Sequence, residues 1–99
     1  MLNTKISESN RLAYEVQKGM IFHIKRRYKK VKSLGVKQAP FYVLIGAEMP
    51  AILVETGFIT NPTERKRLLS QKYLESLANG IVGGIDSYIK SIDEAYKGG

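Results

Sequence analysis

Cysteine is absent from the 99 residues, which excludes a disulfide framework and any thiolate zinc site within this chain. The absence assigns no compartment, although it is compatible with an exported or cell-surface protein. No apolar run approaches the roughly 18 residues of a membrane-spanning helix. Residues 1–10 hold no apolar signal-peptide core, so any export signal is expected to lie outside this chain. The single histidine, His23, cannot supply the three protein ligands of a catalytic zinc site. No internal repeat, phosphate-cradling glycine loop, zinc finger or aromatic RNA-binding motif occurs, so no nucleic-acid partner is expected.

What is present is one domain's worth of an ordinary globular composition, 43% hydrophobic and 25% charged. The net charge of +7 is uneven. Residues 1–50 carry ten Lys or Arg against three acids, whereas residues 51–99 carry six of each. Lys25, Arg26, Arg27, Lys29, Lys30 and Lys32 form one cationic stretch. It is either a solvated helix end or an attraction site for polyanions; charge alone admits anionic wall polymer, nucleic acid or an anionic membrane surface, of which nucleic acid lacks any supporting motif.

The spacing predicts a helix over residues 7–31. Leu12, Ala13, Val16, Met20, Ile24 and Tyr28 share one face, Ser7 or Ser9 is placed to cap the start, and Gly35 is free to end the segment at positive φ. His23 falls near that apolar face and reads as a packed or surface residue. Phe41 to Ile45 and Ala51 to Val54 read as two short buried strands. Their connection is too short for a parallel crossover, so if neighbours they pair antiparallel. Asn61 is expected to cap a short helix, with Pro62 at its first position and Glu64 closing a capping box. A last helix is expected over 71–95, with an apolar stripe from Leu74 to Ile92. Gly80, Gly83 and Gly84 interrupt it, each costing about 1 kcal/mol of helix propensity relative to alanine. Close approach to a sheet is the expected gain. Two strands make a thin sheet for two such helices, and the mismatch suggests an incomplete domain.

Glu55 is the candidate catalytic residue. It ends the second apolar run just before a glycine-containing loop, and strand ends beside loops are where α/β folds gather catalytic groups. The plain alternative is a carboxylate that pairs with a lysine or caps loop amides. Phe41, Tyr42 and Phe58 read as core or site wall rather than as stacking platforms.

The run Phe41-Tyr42-Val43-Leu44, followed by Met49-Pro50-Ala51-Ile52-Leu53-Val54-Glu55-Thr56-Gly57-Phe58-Ile59-Thr60-Asn61-Pro62, resembles the C-terminal signature of the zinc-dependent N-acetylmuramoyl-L-alanine amidases, type 3. Ser9 to Gln17, Gly35-Val36-Lys37 and Tyr73 to Tyr88 are similar to the flanking segments of that family, so the resemblance covers roughly residues 7–90. It implies an α/β fold, part of an α/β/α layered, phosphorylase/hydrolase-like domain, of which this chain supplies two strands, two long helices and one short helix. It implies that residues 1–99 are the C-terminal part of one catalytic domain, without the zinc-ligand half. The implied chemistry is hydrolysis of the amide between N-acetylmuramic acid and L-alanine in peptidoglycan. Zinc in the complete domain activates the water, and the glutamate matching Glu55 moves its proton to the leaving amine. The family's two histidines and one glutamate that hold zinc lie upstream, and His23 matches none of them. No metal or cofactor is therefore expected in this chain alone, and the fragment is expected to be inactive by itself. Lys32-Ser33-Leu34 and Ile45 depart from the family pattern at positions that bear on substrate contacts. The resemblance places the protein in the cell wall, periplasm or extracellular space. Two other readings remain beside it: a non-enzymatic basic module on an anionic polymer, and an amidase-like subunit acting with another chain. An incomplete sheet would also leave an edge for self-association.

Overall fold

The computed structural model describes residues 2–29, 31, 35–36 and 42–98. Four helices follow in order: α1 (Leu2–Lys25), α2 (Tyr42–Ile45), α3 (Pro62–Leu68) and α4 (Gln71–Gly98). The core lies between α1 and α4, which pack antiparallel. Glu8 meets Tyr88 near one end of the pair and Tyr28 meets Tyr73 near the other. Val16, Met20 and Ile24 on the first segment face Tyr73 and Leu77 on the second, and Leu12, Tyr28, Val31, Ile52, Val54 and Ile81 pack around them.

The glycines set how close the helices come. A Cβ built on Gly84 would strike the Val16 backbone, and one on Gly80 would lie 2.5 Å from Met20 Cα. Across the interface, a Cβ on Gly19 would strike the Gly80 carbonyl oxygen. The two backbones are thus in direct contact. The expected close approach exists, but the partner of Gly80 and Gly84 is a helix, not a sheet. Gly83 lies off the contact, where its Cβ would meet only His23 Nε2 at 3.6 Å.

The α/β expectation is overturned: no strand and no sheet occurs among the described residues. Residues 42–45 of the first expected strand form the helical turn α2, and the Leu44 carbonyl accepts locally from Ala47 N–H at 3.3 Å. Phe41 lies outside the described residues. Ala51 to Val54 are extended but pair with no other strand. A β-ladder needs a neighbour to accept and donate its backbone bonds. Lacking one, the runs bond differently: α2 closes its own turn, and in the second run Ala51 N–H donates to Ser9 Oγ at 3.0 Å. With no sheet there is no described sheet edge for self-association; Val16, Met20 and Ile24 of α1 are buried with Tyr73, Leu77 and Tyr88 of α4, whereas Leu74, Val82, Ile85 and Ile89 of the α4 stripe remain exposed.

Three boundaries also differ from expectation. Ser7 and Ser9 lie inside α1 rather than capping it. The helix ends at Lys25, and the following turn is closed by Arg27 and Tyr28 N–H donating to the Ile24 carbonyl at 3.0 and 2.9 Å. Continuing it would set Lys25 against Lys29 and Arg26 against Lys29 at the three- and four-residue spacings where like charges repel. Gly35 does adopt positive φ, +81°, although well beyond the end of α1. α4 runs to Gly98, slightly past the expected limit.

Arginine–tyrosine contacts close both ends of the pair. At one end Arg11 binds the Glu8 carboxylate at 2.8 Å and Ser91 Oγ at 2.8 Å, while Tyr88 donates to Glu8 Oε1 at 3.3 Å. At the other, the Arg67 guanidinium from α3 lies 5.4 Å from the Tyr28 ring and 6.0 Å from that of Tyr73. Burial holds both the Tyr73 and the Tyr88 phenols above the usual tyrosine range. The Glu8 carboxylate adds to the effect at Tyr88, while Arg67 opposes it at Tyr73.

Candidate functional site

The segment that carries Glu55 lies along α1. Lys5 Nζ donates to the Leu44 carbonyl at 2.9 Å, and Ser9 takes the Ala51 N–H. From there the chain alternates. Ile52 and Val54 turn toward the core, while Leu53 and Glu55 face solvent. Ala51 to Val54 read in sequence as a buried strand. The structure buries one face only, so Glu55 is an exposed carboxylate at the end of an extended stretch, not a buried one. It makes no hydrogen bond or ion pair among the described residues, and neither a lysine partner nor a capping role is seen.

The loop after Glu55 is shaped by α3. Gly57 has φ +148°, a region that a side chain disfavours. A Cβ there would face Glu64 Cβ at 3.5 Å and Leu68 Cδ1 at 3.6 Å. Asn61 Oδ1 accepts from Thr63 and Glu64 N–H at 3.0 and 3.1 Å, which confirms the expected cap with Pro62 behind it. The capping box does not close. Glu64 Oε2 instead accepts from Phe58 N–H at 3.4 Å, and Arg65 donates to the Ile59 carbonyl at 3.2 Å. Two side chains of α3 thus hold the loop backbone and leave Phe58 and Ile59 exposed. Of the two expectations for Phe58, core or site wall, the exposed ring excludes the core. Sequence reading missed this use of Glu64 and Arg65, because a capping-box spacing does not tell which amide the carboxylate reaches.

The cationic stretch begins at the end of α1. Lys25, Arg26, Arg27 and Lys29 are exposed, whereas Lys30 and Lys32 lie outside the described residues. Arg26 also covers the Phe22 ring at 5.7 Å. Between these residues and the first turns of α4 runs an open groove of about 350 Å³, lined by His23, Arg26, Arg27, Lys72, Ser76 and Asn79, with Glu75 at its wall. The half-buried His23 is packed edge-on to Phe22 at 5.3 Å. Lys72, Ser76 and Asn79 escaped the sequence reading. The signal was available as a polar stripe at i, i+4 and i+7 beside the apolar one.

The donors described here do not fit a zinc ion. No three His, Cys, Asp or Glu side chains come together among the described residues, and His23 shares its groove with three cations that would repel a divalent metal.

Residues 1–87 match the N-acetylmuramoyl-L-alanine amidase family, amidase type 3, and the chain belongs to that family. It is 40% identical over 80 residues to the uncharacterized protein YqiI of Bacillus subtilis, covering 81% of this chain and 36% of that protein. It is 39% identical to the N-acetylmuramoyl-L-alanine amidase AmiA of Salmonella typhimurium, over 72% of this chain and 26% of the relative. For the amidase LytC of Bacillus subtilis the identity is 36%, over 85% of this chain and 16% of the relative. The chain therefore spans roughly a third or less of these relatives. No solved structure gives a significant match. No described helix is long and apolar enough to cross a membrane.

Proposed function

We propose that this chain is the C-terminal part of a peptidoglycan amidase domain that cleaves the bond between N-acetylmuramic acid and L-alanine, with Glu55 as its acid–base residue. Family membership over residues 1–87 carries the reading. The placement of Glu55 supports it. A carboxylate facing solvent at the end of an extended segment can reach a substrate amide that a packed one cannot, and nothing described competes for its oxygens. In that role it accepts a proton from the attacking water and delivers it to the leaving amine nitrogen, so one group serves both halves of the hydrolysis. The residues described here do not fit zinc, so no step is assigned to the metal on this chain. The family's metal chemistry belongs to residues outside it, and the chain alone is inactive. The place of action is the cell wall, and the cationic stretch from Lys25 to Lys32 adheres to anionic wall polymer.

The test is a chimera in which residues 1–87 replace the matching segment of LytC. The chimera is expected to release L-alanine-terminated peptides from purified peptidoglycan. Glu55→Gln keeps the size and much of the hydrogen bonding but cannot take the proton. Its turnover is expected to fall by at least about 10²-fold, the lower end of general acid–base contributions, with zinc content and circular dichroism unchanged. Turnover within a few-fold of the parent at full zinc occupancy would remove Glu55 from the chemistry. Loss of zinc would make it a ligand instead.

A further inference from the structure

The groove between the end of α1 and the start of α4 has features that a merely solvated helix end lacks. Its cations come from two elements distant in sequence, Arg26 and Arg27 after α1 and Lys72 in the first turn of α4. Helix packing brings them to one concave surface. Against three fixed positive charges stands one acid, Glu75, whose Oε1 accepts from the Gln71 amide at 3.4 Å. Ser76 supplies an independent observation. It is only 7% exposed, lines the groove, and makes no hydrogen bond among the described residues. No side-chain oxygen or nitrogen is both fully buried and unsatisfied, so the Ser76 hydroxyl remains reachable through the groove opening. A hydroxyl placed in a largely buried position without a protein partner is a donor waiting for an acceptor.

We propose that this groove binds a phosphate group of a polyol-phosphate chain, the anionic polymer class with one phosphodiester charge per repeat. Arg26, Arg27 and Lys72 neutralise the phosphate oxygens, with the arginine forks suited to two of them at once. Ser76 donates a hydrogen bond from the floor, and Asn79 is placed to contact the polyol. The lining favours a polyol over a nucleobase: His23 is its only ring among the described residues, and single-stranded nucleic acids are held largely by aromatic platforms that stack their bases. The assignment narrows the adhesion reading given above for the cationic stretch, on which it rests, and is independent of Glu55.

The experiment titrates the full 99-residue chain with fluorescently tagged poly(glycerol phosphate) at low salt. Arg26→Ala and Lys72→Ala are each expected to weaken binding by on the order of tenfold, as loss of a charge-assisted contact does. Ser76→Ala is expected to weaken it several-fold with no change in net charge, and Glu75→Gln to strengthen it. The double change Lys90→Ala with Lys97→Ala removes two charges elsewhere on α4 and is expected to shift affinity less than threefold. Circular dichroism checks each variant, and if Ser76→Ala fails to fold, the exposed Asn79→Ala takes its place. Equal losses from the Lys90/Lys97 pair and from Arg26/Lys72 would overturn the site. So would equally tight binding of polyglutamate, or tighter binding of single-stranded DNA, at matched charge. Loss on replacing Lys25 and Lys29, with none on replacing Lys72 and Ser76, would also overturn the groove while leaving the broader adhesion reading in place.

Discussion

Neighbouring glycines in α4 should respond to the same substitution with opposite signs. Gly83 and Gly84 both sit inside a 28-residue helix, where alanine is favoured over glycine by about 1 kcal/mol. At Gly83 the new methyl meets nothing closer than His23 Nε2 at 3.6 Å, an ordinary contact. Gly83→Ala should therefore stabilise the chain by about 0.5–1 kcal/mol, the propensity gain alone. At Gly84 the methyl would lie 2.6 Å from the Glu15 carbonyl oxygen and 2.8 Å from Val16 N, and would overlap Val16 Cα. All three are backbone atoms, which cannot rotate away as a side chain can. The helices must separate, and the loss spreads to Val16, which is 1% exposed, and to the other residues packed at the crossing. Overpacking costs about 1–3 kcal/mol and sometimes more, which exceeds the propensity gain. Gly84→Ala should thus lower stability by at least about 1 kcal/mol, or roughly 4–8 °C in melting temperature for a chain this small. Thermal and urea melts followed by circular dichroism at 222 nm measure both variants. If both alanines raise the melting temperature, the backbones of α1 and α4 do not touch in solution and the packing argument fails.

Two further expectations follow from local geometry. Asn61→Ala removes the acceptor of the Thr63 and Glu64 amides. It should cost about 1 kcal/mol, read as faster amide exchange confined to the start of α3, and unchanged exchange there would contradict the cap. Tyr88 is held above its usual 10.0 by burial first and by the Glu8 carboxylate second. Because the folded value is the higher one, its contribution is complete below pH 10 and is lost as pH rises through the folded value. Urea stability should therefore decline above about pH 10, and Tyr88→Phe should flatten part of that decline; the same slope in the variant would assign it elsewhere.

The sequence made the helices legible because their signals are local. Asn61-Pro62 marks a helix start wherever the rest of the chain goes, and the stripe through Val16, Met20, Leu77 and Ile81 requires a buried partner of some kind. It did not reveal which partner. An apolar face packs on a sheet or on a helix with the same periodicity, and the glycines that seemed suited to a sheet serve a helix crossing at Gly19, Gly80 and Gly84. The strand readings failed for a related reason. Residues 42–45 have the composition of a strand, but a strand exists only by pairing, and no neighbour is described for it. Glu55 stands out as a candidate by its place at the end of an apolar run and by the resemblance of the residues around it, whereas its exposure is not legible in that run. Lys72 and Ser76 were overlooked because their relation to Arg26 crosses the whole chain and leaves no mark in local spacing.

The orientation of Glu55 follows from register rather than from any bond of its own. In an extended segment neighbouring side chains point to opposite sides, so a slip of one residue would bury Glu55 and Leu53 and expose Ile52 and Val54. Such a slip would remove two apolar side chains from the core and place a carboxylate against it, a change opposed by both hydrophobic burial and charge desolvation. The register is also pinned on either side. Before Glu55, the Ala51 amide is bound to Ser9 on α1. After it, Gly57 packs against Glu64 and Leu68, and the Phe58 amide is held by Glu64. The short helix after the signature therefore acts on the candidate acid–base residue at a distance. Its Asn61 cap fixes where α3 starts, and the start of α3 fixes where Glu64 meets the loop. That contact, together with the two inward side chains Ile52 and Val54, keeps the Glu55 carboxylate directed outward.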